Sequence, residues 1–304
     1  MPPALGPNQY GKAETRVLRV SRDGPVHHVR DLSVSCALSG DLAAAHLDGS
    51  NADVLPTDTM KNTVFAFARE HGIASPEAFA ALLARHFVAS LPAIDRARVR
   101  VEEYAWDRLP QAGTGAHSFV RGGHGVRTAQ VTLRAGGPGR WEVLGGVTGV
   151  TVMNTTDSSF CGFARDRFTT LRETDDRVLA TDVTAVWRQA ADGPPEPGRD
   201  FDADHAAVTG LLLEAFAGSV SSSLQQTLYD MGARVIDERP EIAEIRLSLP
   251  NNHHFPVDLE PFGLRNETSD GAVYYAADRP YGLIEATVLR DGAEARIPAD
   301  LTAP

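Results

Sequence analysis

At 304 residues, 42% hydrophobic and 23% charged, the chain has the composition of a water-soluble globular protein with room for one large domain or two ordinary ones. Its formal net charge of −11 argues against nucleic acid and anionic membrane surfaces as partners but does not exclude a small anion in a locally positive site. The two cysteines, Cys36 and Cys161, form neither a CxxC nor a zinc spacing and are read as reduced thiols, while no run of about 18 apolar residues suggests a membrane span.

Polar and apolar residues roughly alternate from Gln9 to Val20, break at Gly24-Pro25 and resume over Val26–Leu38, which predicts an antiparallel hairpin. Ser39–Asp53 is polar and turn-rich. A helix is predicted from about Thr57 to His71, ending at Gly72, with Met60, Val64, Phe67 and Ala68 at spacings of three and four. Leu55-Pro56 leads into it in extended form, so Thr57 reads as the N-cap and Asp58 as an acid suited to the helix dipole. A second helix opens at Ser75-Pro76 and carries Phe79, Leu82, Leu83 and Phe87 on one face. Strands follow at Arg98–Trp106 and Thr128–Leu133, joined by a glycine-rich connection over Gly113–Gly125.

Gly136-Gly137-Pro138-Gly139 punctuates the middle of the chain, and a second round begins there. Strands are predicted at Trp141–Met153 and Leu179–Trp187, and a surface loop at Asp192–Asp204. One helix then carries Val208, Leu211, Leu212, Ala215 and Phe216, and another Leu224, Leu228, Met231 and Val235. Final strands are predicted at Ile242–Leu249, Pro256–Leu259 and Leu283–Leu289. The order β-β-α-α-β-β thus occurs twice, with the expected division between 138 and 139. Two antiparallel sheets with helices on one face make an α+β protein, and the open edges favour an oligomer.

Of the 29 basic residues only Lys12 and Lys61 are lysine. Lysine can lose its proton when desolvated and arginine effectively cannot, so a retained lysine hints at a role arginine cannot fill. Both lie in polar motifs, one in Gln9-Tyr10-Gly11-Lys12 and the other in Leu55-Pro56-Thr57-Asp58-Thr59-Met60-Lys61-Asn62-Thr63. Read locally, Thr57 caps a helix and Lys12 is a solvated strand lysine. Arg177, among Glu173, Asp175, Asp176 and Asp182, makes a surface ion pair, Phe160 is core and Gln225 faces solvent. His253-His254 and His27-His28 are adjacent pairs whose side chains diverge on a strand, which argues against a shared metal.

Four further segments join those two motifs: Phe163-Ala164-Arg165-Asp166 with Thr169-Thr170-Leu171, Asp176-Arg177 with Thr181-Asp182-Val183, Ser223-Leu224-Gln225 with Leu228-Tyr229, and Leu249-Pro250-Asn251-Asn252-His253. Together, and in this order, they resemble the urate oxidases (uricases) over most of the chain. The resemblance implies a tandem T-fold assembling into a homotetramer, and a cofactor-free, metal-free oxidation of urate by O2 and water to 5-hydroxyisourate and hydrogen peroxide. It implies Lys12 and Thr57 as catalytic dyad and His253 as third relay member. Phe160 stacks on the purine, Arg177 and Gln225 grip one edge, and Asp58 and Leu224 lend backbone contacts. Thr57 and Asn251 border the dioxygen or water site. The site is expected to span a subunit interface, with Lys12, Thr57 and Asp58 from one chain and the rest from its neighbour. Leu224 stands where some members have valine, a conservative change for a backbone contact. The Ser-Lys-Leu peroxisomal signal of many eukaryotic members is missing and no signal peptide is evident, so a cytoplasmic, bacterial member is expected.

The chemistry suits those residue types. Urate is a flat anion rimmed with donors and acceptors. Arginine offers a planar two-donor fork, glutamine one donor and one acceptor, and phenylalanine a stacking face. With no dinucleotide fingerprint in the sequence, the substrate itself is the expected electron source once deprotonated. A threonine hydroxyl is too weak an acid to act alone, so a neutral Lys12 would take its proton, and His253 would pass protons on near neutral pH. Two other readings stand beside this one. A cyclohydrolase or aldolase relative on the same fold would show metal dependence or a different acid/base pair, and a non-catalytic purine binder would bind without oxygen uptake.

Overall fold

The computed structural model describes residues 3–22, 24–110, 117–136, 141–196, 198–267 and 271–302. They gather into two units, Met1–Gly146 with Trp187–Ala206, and Val147–Val186 with Ala207–Pro304. The division expected at 138/139 falls within 137–140, outside the described residues.

In the first unit, β1 (Tyr10–Arg22) and β2 (His27–Gly40) form the expected antiparallel hairpin. A short helix α1 (Ala43–Leu47) follows, then α2 (Thr57–Glu70), α3 (Pro76–Ser90), β3 (Ile94–Glu103), the small ladder β4 (Trp106–Arg108) with β5 (Phe119–Arg121), and β6 (Val126–Arg134). The strand order is β1-β2-β3-β6, antiparallel throughout. Period-two burial puts Leu32, Val34, Cys36 and Leu38 of β2 and Ala97, Val99 and Val101 of β3 on the face that the helices cover. There α2 buries Met60, Val64 and Ala68, and α3 buries Phe79, Leu83 and Phe87. Ser75 caps α3 as predicted, its hydroxyl accepting from the Ala78 amide at 3.1 Å.

One ionic cluster is sunk into this unit. The Arg127 guanidinium on β6 donates to Glu77 of α3 at 2.7 Å, to Glu103 of β3 at 3.2 Å and to Asp202 at 2.6 Å. Arg30 of β2 joins through Glu103 at 2.6 Å and also pairs with Asp202. The Arg127 and Glu77 side chains are only 9% and 3% exposed, so the geometry must offset a large desolvation cost.

The second unit repeats the order with β7 (Trp141–Asn154), β8 (Leu179–Gln189), α4 (Phe201–Gly218), α5 (Leu224–Glu238), β9 (Ile242–Pro256) and β10 (Tyr274–Leu289). The first residues of β7, the last of β8 and the start of α4 belong to the first unit. Its strand order is β7-β8-β9-β10. Helix α5 lies against β9 and β10, and Gly232 sets the approach: a Cβ there would stand 2.6 Å from Cγ2 of Val288.

Three expectations change. The strand predicted at Pro256–Leu259 does not form: β9 continues through Pro250 to Pro256, and a 3-10 turn at Glu260–Phe262 follows. Proline's fixed φ suits extended chain and costs a strand only one N–H, so Pro250 does not end it. Helix α4 begins at Phe201, inside the predicted loop. Finally, Thr57 is not the N-cap of α2. Pro56 holds that position at φ −55° and ψ 134°, no side chain caps the helix, and Thr57 is its first residue.

Candidate active site

The residues of the first unit come from two neighbouring elements. Gln9-Tyr10-Gly11-Lys12 opens β1, which pairs tightly there: a Cβ on Gly11 would stand 1.8 Å from the Cys36 carbonyl oxygen. Lys12 pairs with Cys36 and Thr15 with Val34, so Ala13 and Glu14 form a bulge opposite Ser35, with Glu14 at φ 54° and its amide donating to the Ser35 hydroxyl at 3.0 Å. A bulge bends the strand and re-aims the side chains beside it, and Lys12 sits at its edge. The Tyr10 hydroxyl accepts from the Leu55 amide at 2.9 Å, tying β1 to the segment that enters α2.

Thr57 and Asp58 are the first two residues of α2, where backbone N–H groups have no partner within the helix. With Pro56 as cap, no side chain claims them. The Asp58 carboxylate accepts from Lys61 and from Asn62, the latter at 3.0 Å. The Lys61 bond and charge hold its pKa below the usual carboxylate range, and the positive charge of Lys12 adds to the effect. Lys12 therefore lies within electrostatic reach of the start of α2.

In the second unit a set of short backbone bonds gathers the other residues. The Phe160 amide donates to the Thr174 carbonyl at 2.8 Å, and the Thr174 amide returns a bond at 3.2 Å. The Arg177 amide donates to the Ser158 carbonyl at 2.8 Å, and its Nε to the Ser158 hydroxyl at 3.3 Å. These bonds bring the guanidinium carbon to 5.2 Å from the Phe160 ring centroid, so Arg177 is no simple surface ion pair. Burial lowers the pKa of this half-buried cation. The Ser159 amide donates to the Ser221 carbonyl and the Ser221 amide to the Asp157 carbonyl, both at 2.8 Å, which joins this segment to the start of α5.

There Ser223 is the N-cap and accepts from the Gln226 amide at 3.2 Å. Leu224 is buried as the first helical residue and Gln225 is exposed as the second. Asn251 and His253 lie on β9, where the ladder with β10 is irregular: Asn251 pairs with Gly282 and His253 with Ala277. Between them Asn252 donates to Asp182 at 2.9 Å, anchoring this part of β9 to β8. The His253 pKa is lowered by burial first, then by the charges of Arg177 and His254. Phe160, Arg177 and His253 thus share one neighbourhood, and the Ser221 bonds tie the segment before α5 to the loop that carries Phe160.

The family model for uricase matches residues 8–132 and 143–285. The chain belongs to the uricase family. A uricase of Arthrobacter globiformis is 48% identical over 97% of this chain and 92% of its own length, and one of Oryctolagus cuniculus is 37% identical over 92% and 93%. A crystal structure of the Arthrobacter globiformis uricase is 47% identical with a TM-score of 0.90, covering 99% of this chain and 100% of that one. The Bacillus sp. TB-90 urate oxidase, 20% identical with a TM-score of 0.80 over 93% and 100%, shares the fold. The fold is accordingly the tandem T-fold of the uricases, and the activity is the family's: urate is oxidised by O2 and water to 5-hydroxyisourate and hydrogen peroxide in purine degradation.

Sequence reasoning missed several neighbours of these residues. Ser158 fixes Arg177, Asp182 fixes Asn252, Lys61 pairs with Asp58, and Phe163 stacks on Phe160. Lys61, Asp182 and Phe163 all lie inside the uricase motifs. Among the described residues no group of three or more His, Cys, Asp or Glu could hold a metal ion, and no helix is long and apolar enough to cross a membrane.

Proposed function

We propose that the reaction runs without cofactor or metal, with Lys12 and Thr57 as the proton-abstracting dyad and His253 as the onward relay. Urate stacks on Phe160. Arg177 and Gln225 grip one edge, and the free amides at the starts of the two helices, at Asp58 and Leu224, donate to acceptors on its rim. Lys12 takes the Thr57 hydroxyl proton, and Thr57 in turn accepts one from urate. The electron-rich urate passes two electrons to O2 beside Thr57 and Asn251. With two protons O2 leaves as hydrogen peroxide, and water adds to the dehydrogenated purine to give 5-hydroxyisourate. His253, kept neutral by burial and by Arg177, can accept a proton from that water.

In this reading four chains form a cytoplasmic homotetramer, and each site takes Lys12, Thr57 and Asp58 from one chain and the remaining residues from its neighbour. The observation that carries the assignment is the Arg177 guanidinium over the Phe160 ring, a cationic fork beside an aromatic platform, with His253 within electrostatic reach.

The test is oxygen uptake by chelator-treated protein given urate, with urate absorbance and peroxide followed together. Coupled consumption of urate and O2 without additive is the expected result. Activity restored only by metal would favour a different acid/base chemistry on this fold, and tight urate binding without oxygen uptake would leave a purine binder.

A further inference from the structure

Phe160 is a loop residue, and a purine platform is useful only if its plane is held. Its backbone is fixed by the two bonds with Thr174. Its ring stacks on Phe163, with centroids 5.0 Å apart and planes 13° from parallel. The contact depends on the turn between them, in which Gly162 adopts φ 69°, a conformation other residues resist. Phe163 is itself held on both sides of that turn. The Arg165 guanidinium carbon lies 4.9 Å from its ring centroid while its Nη2 pairs with Glu173 at 3.5 Å, and the Gly162 amide donates to the same carboxylate at 3.3 Å. Glu173 directly precedes Thr174, so the turn closes onto the bridge that positions Phe160.

We propose that Phe163 is a positioning residue for urate: stacked on Phe160, it fixes the plane of the platform ring beside the Arg177 guanidinium, 5.2 Å from the ring centroid. The inference rests on the assignment of Phe160 as stacking platform. Losing the contact would also free Phe163 from Arg165 and loosen the closed turn that carries Phe160. Parallel aromatic contacts of this kind are worth roughly two- to tenfold in an equilibrium constant.

The experiment measures anaerobic urate binding and aerobic kinetics for the wild-type chain, Phe160→Ala, Phe163→Leu and Phe163→Tyr, with thermal unfolding of each. Phe163→Leu is expected to weaken urate binding by roughly two- to tenfold and to raise KM more than it lowers kcat, at an unfolding temperature close to wild type. Phe163→Tyr, which keeps the aromatic face, restores binding. Tighter binding by Phe163→Leu would show that Phe163 covers the face the purine needs, and unchanged binding would show that Phe160 needs no backing. Either overturns the proposal. Parallel loss in Leu and Tyr variants together with a fallen unfolding temperature would mark a merely structural role and also overturn it. If Phe160→Ala binds urate as the wild type does, the platform assignment fails first, and this inference falls with it.

Discussion

Each unit sets candidate ligand residues at the start of a helix, by different means. In the first, Thr57-Asp58 are the opening residues of α2, the first helix of its β-β-α-α-β-β order once the short α1 is set aside. In the second, Leu224-Gln225 are the opening residues of α5, the second helix of its order. Helix α5 is capped by Ser223, which takes the Gln226 amide and leaves the two amides before it free within the helix. Helix α2 starts on Pro56, whose fixed φ sets the entry angle without a capping side chain, so the Thr57 hydroxyl is not spent on its own helix. Each unit also sets candidate site residues beside a ladder irregularity, Lys12 next to the bulge in β1, and Asn251 and His253 opposite the break in β10. A regular ladder dictates where every side chain points, and a bulge releases one or two from that rule. On the proposed reading, similar frames divide the work. The first unit would supply the proton-abstracting dyad Lys12 and Thr57, and the second the platform Phe160, the grip of Arg177 and the relay His253.

The sharpest way to break that division is to remove one group from each side. Lys12→Met should lower kcat by about 10²–10⁴ and leave anaerobic urate binding near wild type. Arg177→Gln should weaken binding by roughly ten- to a hundredfold through loss of charge-assisted bonds. Stopped-flow turnover and anaerobic titration on both variants test this, and equal losses of both quantities in both variants would contradict it.

Stability should separate the units next. Arg127→Met leaves Glu77 buried and unpaired in the first unit, with burial already raising the Glu77 pKa against the pull of Arg127. A loss of about 3–5 kcal/mol in denaturant unfolding is expected. The same unit holds His205, whose pKa is lowered from 6.5 to about 4 by burial first and by the charge of Arg127 second, with its Nε2 buried and unpartnered. The folded chain keeps this ring neutral while the unfolded chain protonates it below about 6.5. Stability from this group is complete above that pH and falls as the solution is acidified towards 4, by up to about 3 kcal/mol. His205→Phe should flatten that stretch of the acid unfolding curve, and an unchanged slope would remove His205 from the account.

The smallest effect bears most directly on the two helix starts. Ser223→Ala should cost about 1 kcal/mol, the usual worth of a cap. Thr57→Ala should cost almost nothing in thermal unfolding while abolishing most turnover. A comparable stability loss at Thr57 would mean that its hydroxyl caps the helix after all.

What could be read from the sequence was local chemistry and periodicity. The Ser75-Pro76 start of α3 was legible because a cap and a first-turn proline act within four residues. The doubled element order was legible because burial imposes periods of two and 3.6 on the chain. The motifs were enough to point to the uricase family. Tertiary structure decided the rest. The β4–β5 ladder is short, and its Trp106 and Arg121 are held to Asp31 of β2, a contact that no local pattern encodes. Whether Pro56 or Thr57 caps α2, where β1 bulges beside Lys12, and which ring backs Phe160 all depend on residues far apart in sequence or on the exact turn between them. A sequence names the groups able to do chemistry, but the direction each one points is set by ladder register, helix phase and packing.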